Sequence, residues 1–242
     1  RNAEDTLAAC RAFIPGDPPG ADALYKQFAR HPSAWMRGCT AYALGENPDA
    51  PHRAELLTAL AADPDPFVSE TAKWVLNREN QSQAEAYAML TMEKILFLKT
   101  VPIFAGMEGE ELRAIAEIVE EVEVPRDGTL FYEGEAGEDM YMIVSGAVQV
   151  LKGRPEENIV LATLGERECI GEMAILDDEP RSATARAAED TLLLKIRRDD
   201  FRDLIGEDPA VAFGVFRVFT RRLRAANVEH EDHATAPMKD AV

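Results

Sequence analysis

The sequence lacks the features of a membrane span and of a disulfide-stabilised scaffold. Its most apolar stretch, Pro209–Phe219, is shorter than the ~18 residues that a spanning helix needs and is interrupted by Arg217. The three cysteines are odd in number and have no metal-type spacing, which favours buried thiols in a reducing compartment. They are Cys10, Cys39 and Cys169. We therefore expect a cytoplasmic chain, or the cytosolic part of a larger membrane-bound protein, that does not itself insert into the bilayer.

Positive charge is also scarce. The chain has 26 lysines and arginines against 44 aspartates and glutamates, which gives a formal net charge of −18. Nucleic-acid backbones and anionic membranes repel such a chain, so we expect no nucleic-acid partner. An anionic ligand would need a local positive site built from a few side chains and backbone N–H groups.

Residues 1–78 are predicted to form helices only. These helices cover 2–13, 21–30 and 52–62 and, after a proline-containing turn, most of two related segments that start at His31 and Asp63. The two segments align with an offset of 32 residues, so that Pro32 matches Pro64 and Trp35 matches Phe67. A period in this range is typical of stacked helix pairs. The pattern resembles HEAT repeats, and a plain helical bundle is the alternative. Because stacked pairs need neighbours to bury their faces, we expect further chain upstream.

From residue 79 the pattern changes. We assign 79–98 to a helical linker, with a helix from Ala84 to Leu98, and expect an amphipathic helix over Gly109–Val122. Short runs rich in valine, isoleucine and tyrosine then alternate with glycine-bearing turns, which is typical of an antiparallel sandwich or roll. The predicted strands are Glu121–Pro125, Thr129–Tyr132, Met140–Val144, Ala147–Leu151, Ile159–Leu164 and Leu192–Ile196.

A long helix is predicted to begin at Pro209 and to close the second domain, which we place at 99–229. Its apolar stripe packs on the roll or forms a dimer seam; it consists of Val211, Val215, Val218, Phe219 and Leu223. Residues 230–242 are expected to form a disordered tail. The predicted fold class is α+β with two domains, an N-terminal α-solenoid and a C-terminal antiparallel β-roll flanked by helices.

The segment 171–184, GEMAILDDEPRSAT, carries the chemistry. Gly171 allows a sharp turn, and Glu172 can accept hydrogen bonds from a sugar hydroxyl. A short helical turn from Met173 would direct backbone N–H groups at an anion. Arg181 supplies a planar cation suited to bidentate phosphate contact, and Ser182 adds a hydroxyl donor. The order of residue types therefore predicts a site for an anionic sugar phosphate.

This segment resembles the phosphate-binding cassette of the cyclic-nucleotide-binding family, which reads G-E-x-A, five residues, then P-R-[AST]-A-T. The stretch 132–150 resembles the family's turn and hairpin, and 98–117 its entry helices. The resemblance implies that Glu172 holds the ribose 2′-hydroxyl, that Arg181 holds the cyclic phosphate, and that the terminal helix closes over the base. The implied ligand-binding residues are Gly171, Glu172, Met173, Ala174, Arg181, Ser182 and Ala183.

Two positions depart from the family pattern. Ile170 replaces the more common phenylalanine, a mild packing change. The acidic run Asp177-Asp178-Glu179 lies beside the proposed anion site. It is interpreted as a solvated loop, with the alternative that one carboxylate pairs with Arg181 until phosphate displaces it.

Histidine is missing from 53–229, so the predicted roll has no ligand set for the metals of cupin enzymes. No nucleophile–base pair is evident either, and we expect no enzymatic activity, no metal and no cofactor. The expected function is that of a bacterial regulatory sensor that binds cAMP, which Ser182 favours over cGMP, and relays occupancy to a protein partner or a covalently linked parent domain. The alternative is an interaction scaffold whose degenerate roll no longer binds nucleotide.

Overall fold

Four helices come first in the part of the chain that the structure describes. A computed structural model describes residues 21–78, 89–152, 159–176, 179–214, 216, 217 and 220, so the helix predicted over 2–13 lies outside the described residues. The helices are α1 (Ala21–Phe28), α2 (Ala34–Glu46), α3 (Arg53–Leu60) and α4 (Pro66–Arg78). Helix α2 begins where the Ser33 hydroxyl accepts a hydrogen bond from the Met36 N–H at 3.4 Å, an N-cap contact.

Helices α2 and α4, which belong to the two segments related by 32 residues, pack directly on each other. Their matched aromatic residues Trp35 and Phe67 stack with ring centroids 5.9 Å apart. Gly38 lies against the Phe67 ring and Gly45 against Val75, so that any larger residue at either glycine would push the helices apart. The helical content of this region agrees with the prediction, whereas the HEAT-like array stays a proposal.

Helices α5 (Thr91–Thr100) and α6 (Gly109–Ile118) precede the sheets, and both correct predicted boundaries. The predicted helix from Ala84 to Leu98 is wrong at residues 89–90, which are not helical. Helix α5 begins just after Leu90, whose N–H donates to the Glu93 carboxylate. Helix α6 ends four residues before Val122, because the chain becomes extended at Val119 and enters the first strand.

Among the residues that the structure describes, eight antiparallel strands form a roll of two four-stranded sheets, ordered β1-β8-β3-β6 and β2-β7-β4-β5. Six of them match the predicted strands to within one residue at each end. The other two, β6 and β7, have no counterpart among those six predicted strands. The strands are β1 (Glu120–Val124), β2 (Thr129–Phe131), β3 (Asp139–Ser145), β4 (Val148–Lys152), β5 (Ile159–Leu164), β6 (Cys169–Ile170), β7 (Thr184–Ala187) and β8 (Thr191–Arg197).

Two further helices flank the roll: α7 (Met173–Leu176), between β6 and β7, and α8 (Arg198–Glu207), directly after β8. Helix α8 was not predicted. Acidic residues in its first turn suit the helix dipole, and it buries Phe201 in the helical core. Residues 209–214 are helical again, with Val211 buried. The rest of the predicted apolar stripe lies outside the described residues.

The hydrophobic core has two parts. The larger joins all the helices up to α6 with one face of the first sheet and with Phe201 and Val211. The smaller fills the inside of the roll and includes Tyr141, Ile143 and Ile170. Among the helices of the described ranges, none combines the length and the apolar character that crossing a bilayer requires. The roll packs on the helices through one face of its first sheet, and α7 joins the same core through Ile175.

Candidate functional site

A cavity of about 560 Å³ lies inside the roll, next to α7. This volume is typical of a pocket for a small organic ligand. Apolar side chains of the second sheet form one wall, and the segment 169–184 forms the other. The lining consists of Phe131, Val150, Leu164, Cys169, Ile170, Gly171, Glu172, Met173, Glu179, Pro180, Arg181, Ser182, Ala183 and Thr184.

Arg181 is the buried cation of this cavity, only 7% exposed. Its Nη2 donates to the Asp139 carbonyl at 2.7 Å, and its Nη1 donates to the Gly171 carbonyl at 3.4 Å. The guanidinium lies over the Phe131 ring, 4.0 Å from the centroid, as a cation–π contact. Nε has no hydrogen-bond partner among the described residues. The side chain is therefore held in place by carbonyls and a ring, neither of which neutralises its charge.

Burial lowers the pKa of Arg181, and the neighbouring Tyr141 hydroxyl and Asp139 carboxylate act in the opposite direction. No carboxylate within the described ranges forms an ion pair with the guanidinium. A buried charge without a counter-ion costs roughly several kcal/mol of free energy. An anion that enters the cavity would therefore be stabilised by the guanidinium. The site is thus electrostatically suited to a phosphate or a carboxylate.

Gly171 adopts a backbone conformation that only glycine takes readily, with φ +76°. A Cβ atom at this position would collide with Nη1 of Arg181 and would lie 3.1 Å from the Asp139 carbonyl oxygen. The glycine therefore serves the sharp turn that the sequence predicted. It also leaves the space that the guanidinium occupies, which the sequence did not predict.

The turn between β2 and β3 holds the cassette in place. The Gly134 N–H donates to the Arg181 carbonyl and the Arg181 N–H donates to the Glu135 carbonyl, both at 2.8 Å. The Glu133 N–H donates to the Thr184 hydroxyl at 3.0 Å. The sequence indicated both segments, through the family resemblance, but it carried no signal that they bond to each other in this way.

Of the other predicted site residues, Glu172, Met173, Ser182 and Ala183 line the same cavity. Glu172 is half-buried, Met173 is exposed, and Ala183 is buried behind the exposed Ser182. Ala174 lies within α7. Glu179 of the acidic run lines the cavity, whereas its two neighbours at 177–178 lie outside the described residues, so the proposed pairing with Arg181 stays a prediction.

Sequence reasoning missed the residues that support the site from behind. Asp139 and Tyr141, on β3, lie beside Arg181; the Tyr141 hydroxyl donates to the Asp139 carboxylate at 3.4 Å. Burial, with the Asp139 carboxylate, raises the pKa of Tyr141 to about 12. Their position directly after a glycine-bearing turn was the available signal. Within the described ranges no cluster of histidine, cysteine and acidic side chains is arranged to hold a metal ion.

Comparisons with known proteins agree with this geometry. Residues 121–208 match the family described as "Cyclic nucleotide-binding domain". The chain is 37% identical over 135 residues to the cyclic AMP receptor protein of Thermus thermophilus, covering 54% of this chain and 62% of that protein. It is 32% identical over 110 residues to the cAMP-dependent protein kinase regulatory subunit of Aspergillus niger, covering 46% and 26%.

A solved structure is similar to the same region. The crystal structure of the N-terminal domain of a transcriptional regulator from Streptomyces coelicolor A3(2) aligns with a TM-score of 0.50 and 31% identity, over 60% of this chain and 99% of that one. The chain spans about three fifths of the length of the Thermus protein and about a quarter of the Aspergillus protein. The similarity thus concerns the roll and its neighbouring helices.

Proposed function

We propose, on the premise that residues 121–208 form a cyclic nucleotide-binding domain, that the cavity binds a cyclic nucleotide and that occupancy is relayed to the N-terminal helices. The observation that carries the proposal is the buried guanidinium of Arg181, which forms no ion pair with a carboxylate of the described residues, at a cavity of about 560 Å³. That combination suits a small ligand with one negative charge and a large apolar surface. A cyclic purine nucleotide has both.

Each part of the ligand has a counterpart in the cavity. Arg181 pairs with the cyclic phosphate through its guanidinium. Glu172 accepts hydrogen bonds from the ribose 2′-hydroxyl. The base contacts the apolar wall that includes Val150 and Leu164. Ser182 favours cAMP, with cGMP as the alternative, and the nucleotide acts as a ligand of a non-catalytic sensor.

Calorimetric titration with cAMP and cGMP tests the site. We expect Arg181→Met to weaken binding by about 2–5 kcal/mol, because it removes the partner of a buried phosphate. We expect Glu172→Gln to weaken it by about 1.5–3 kcal/mol. Arg186→Met is the matched control, since Arg186 is a half-buried arginine on β7 that does not line the cavity. Binding by Arg181→Met at the wild-type affinity would refute the assignment, and absence of binding by the wild type would favour the scaffold alternative.

The relay begins at α7, which packs on α8. The chain then turns at Asp208 into the helical residues 209–214. Beyond them, Arg217 Nη2 contacts both carboxylate oxygens of Glu111 on α6, at 2.7 and 2.9 Å. A Cβ at Gly214 would lie only 2.8 Å from the Glu111 carboxylate, so this helix can approach α6 closely. A shift of the cassette is thus transmitted to α6 through consecutive contacts.

The other side of α6 contacts the N-terminal helices. Arg113 Nη2 donates to both carboxylate oxygens of Asp65 at 3.1 Å, and its guanidinium lies 4.9 Å from the Phe67 ring centroid. The Ser33 hydroxyl donates to the Glu110 carboxylate at 2.9 Å. Occupancy performs work along this route only if the nucleotide binds one arrangement more tightly than the other.

The proposed output is a protein interface on the N-terminal helices. HEAT-like arrays offer extended contact surfaces, and the stacking of α2 on α4 supports such an array. The partner is then a protein or a further domain of a longer polypeptide.

A further inference from the structure

Lys152, at the end of β4, joins the cassette to the turn that precedes β3. Its Nζ donates to the Ser182 carbonyl at 2.8 Å and lies 2.7 Å from the Glu133 carboxylate. The Glu133 N–H in turn donates to the Thr184 hydroxyl. One ammonium group therefore contacts both segments at the rim of the cavity. Lys152 lies outside the motif from which the site was predicted.

The backbone around Ser182 is fixed on both sides by residues outside the cassette. On one side, the Arg181 carbonyl accepts a hydrogen bond from the Gly134 N–H at 2.8 Å. Because a trans peptide is planar, the Ser182 N–H points away from Gly134. On the other side, the Ser182 carbonyl is held by Lys152. The direction of the Ser182 N–H and the position of its hydroxyl thus depend on these two contacts.

We propose that Lys152 is a positioning residue that sets the affinity of the cavity for its nucleotide and the choice between cAMP and cGMP. The inference rests on the proposed function and adds a residue to it. Lys152 acts through Ser182, which lines the cavity and which, under the proposed function, favours cAMP over cGMP. Its charge is balanced by Glu133, so its effect is geometric, and an arginine in its place can make both contacts.

The test compares Lys152→Met, Lys152→Arg and Lys195→Met by calorimetry with cAMP and with cGMP. Lys195 is the matched control because its ammonium forms an ion pair with Glu120 at 2.6 Å on the other sheet. For Lys152→Met we expect affinity for the preferred nucleotide to fall about threefold to tenfold, with the ratio of the two dissociation constants moving toward one, since a half-exposed charged hydrogen bond is lost. Lys152→Arg should stay within about twofold of the wild type in both measures.

Urea unfolding separates a local effect from loss of the fold, and the two lysine-to-methionine variants should unfold at similar midpoints. The inference is overturned if Lys152→Met keeps both dissociation constants and their ratio, if Lys195→Met shows the same change, or if arginine does not rescue the loss. A wild-type chain that binds neither nucleotide overturns it together with the proposed function, whereas binding that is indifferent to Lys152 overturns this inference alone.

Discussion

Substituting Gly171 by alanine separates the conformational role of this glycine from its role at the anion site. Gly171 and Gly134 both have positive φ angles, +76° and +84°. An added Cβ at Gly134 meets nothing within 4 Å, whereas at Gly171 it collides with the Arg181 guanidinium. Gly134→Ala therefore introduces backbone strain alone, and Gly171→Ala introduces comparable strain together with displacement of Arg181.

The expected losses of stability and affinity follow from the contacts that each substitution disturbs. Alanine in the left-handed region costs about 1–2 kcal/mol, which is the whole effect expected on the unfolding free energy of Gly134→Ala. In Gly171→Ala the Arg181–Asp139 hydrogen bond is also disturbed, which adds about 1.5–3 kcal/mol. The same displacement should weaken cAMP binding by about tenfold or more, because a charged hydrogen bond to phosphate is misplaced. Binding by Gly134→Ala should stay close to the wild type.

Urea unfolding measures the stability of each variant, and calorimetry measures its affinity. The reasoning is refuted if Gly171→Ala binds cAMP as tightly as the wild type. It is equally refuted if both glycine variants lose the same affinity, because then strain rather than the position of Arg181 would control binding.

Two further predictions concern the relay and the buried tyrosine. Arg217→Met should lower the unfolding free energy by about 1–3 kcal/mol, since the buried Glu111 carboxylate loses its cationic partner and, among the described residues, keeps only the hydrogen bond from the Glu108 N–H. It should also change the affinity for cAMP, and an unchanged affinity would argue against the relay route. Burial raises the pKa of Tyr141 to about 12 from 10.0, so the folded state favours the neutral phenol. The resulting contribution to the unfolding free energy is fully present below pH 10 and is lost as the pH rises from 10 to 12. Chemical unfolding across that interval should show that the unfolding free energy of the wild type falls by about 2–3 kcal/mol more than that of Tyr141→Phe. Equal falls in the two proteins would contradict the assignment.

The strands and the cassette could be predicted because their signals are local. Alternating apolar residues between glycine turns define a strand from its own sequence, and β5 (Ile159–Leu164) coincides with its prediction. The order of residue types from Gly171 to Thr184 predicted a site for an anionic sugar phosphate, and residues 171–173 and 179–184 of that segment line one cavity.

The rest depends on contacts that no local pattern records. Helix α6 ends at Ile118 because the next residues pair with β8, and a window read by itself continues the helix to Val122. Helix α8 is an exception, because its large apolar residues Phe201, Leu204 and Ile205 do follow the helical spacing of three and four. Its sequence therefore carried a helical signal, although only over ten residues. Arg181 is held by the carbonyls of Asp139 and Gly171, and a carbonyl acceptor looks the same at every position of a sequence.

The most direct test of the central claim is calorimetric titration of the chain with cAMP, alongside Arg181→Met. The account predicts saturable binding with one nucleotide per chain, and a variant that stays folded but loses most of the affinity. Saturating cAMP, at about 100 times the dissociation constant, should also raise the unfolding free energy of the wild type by about 2.7 kcal/mol. A wild type that neither binds nor gains stability, or a variant that binds equally well, would contradict it.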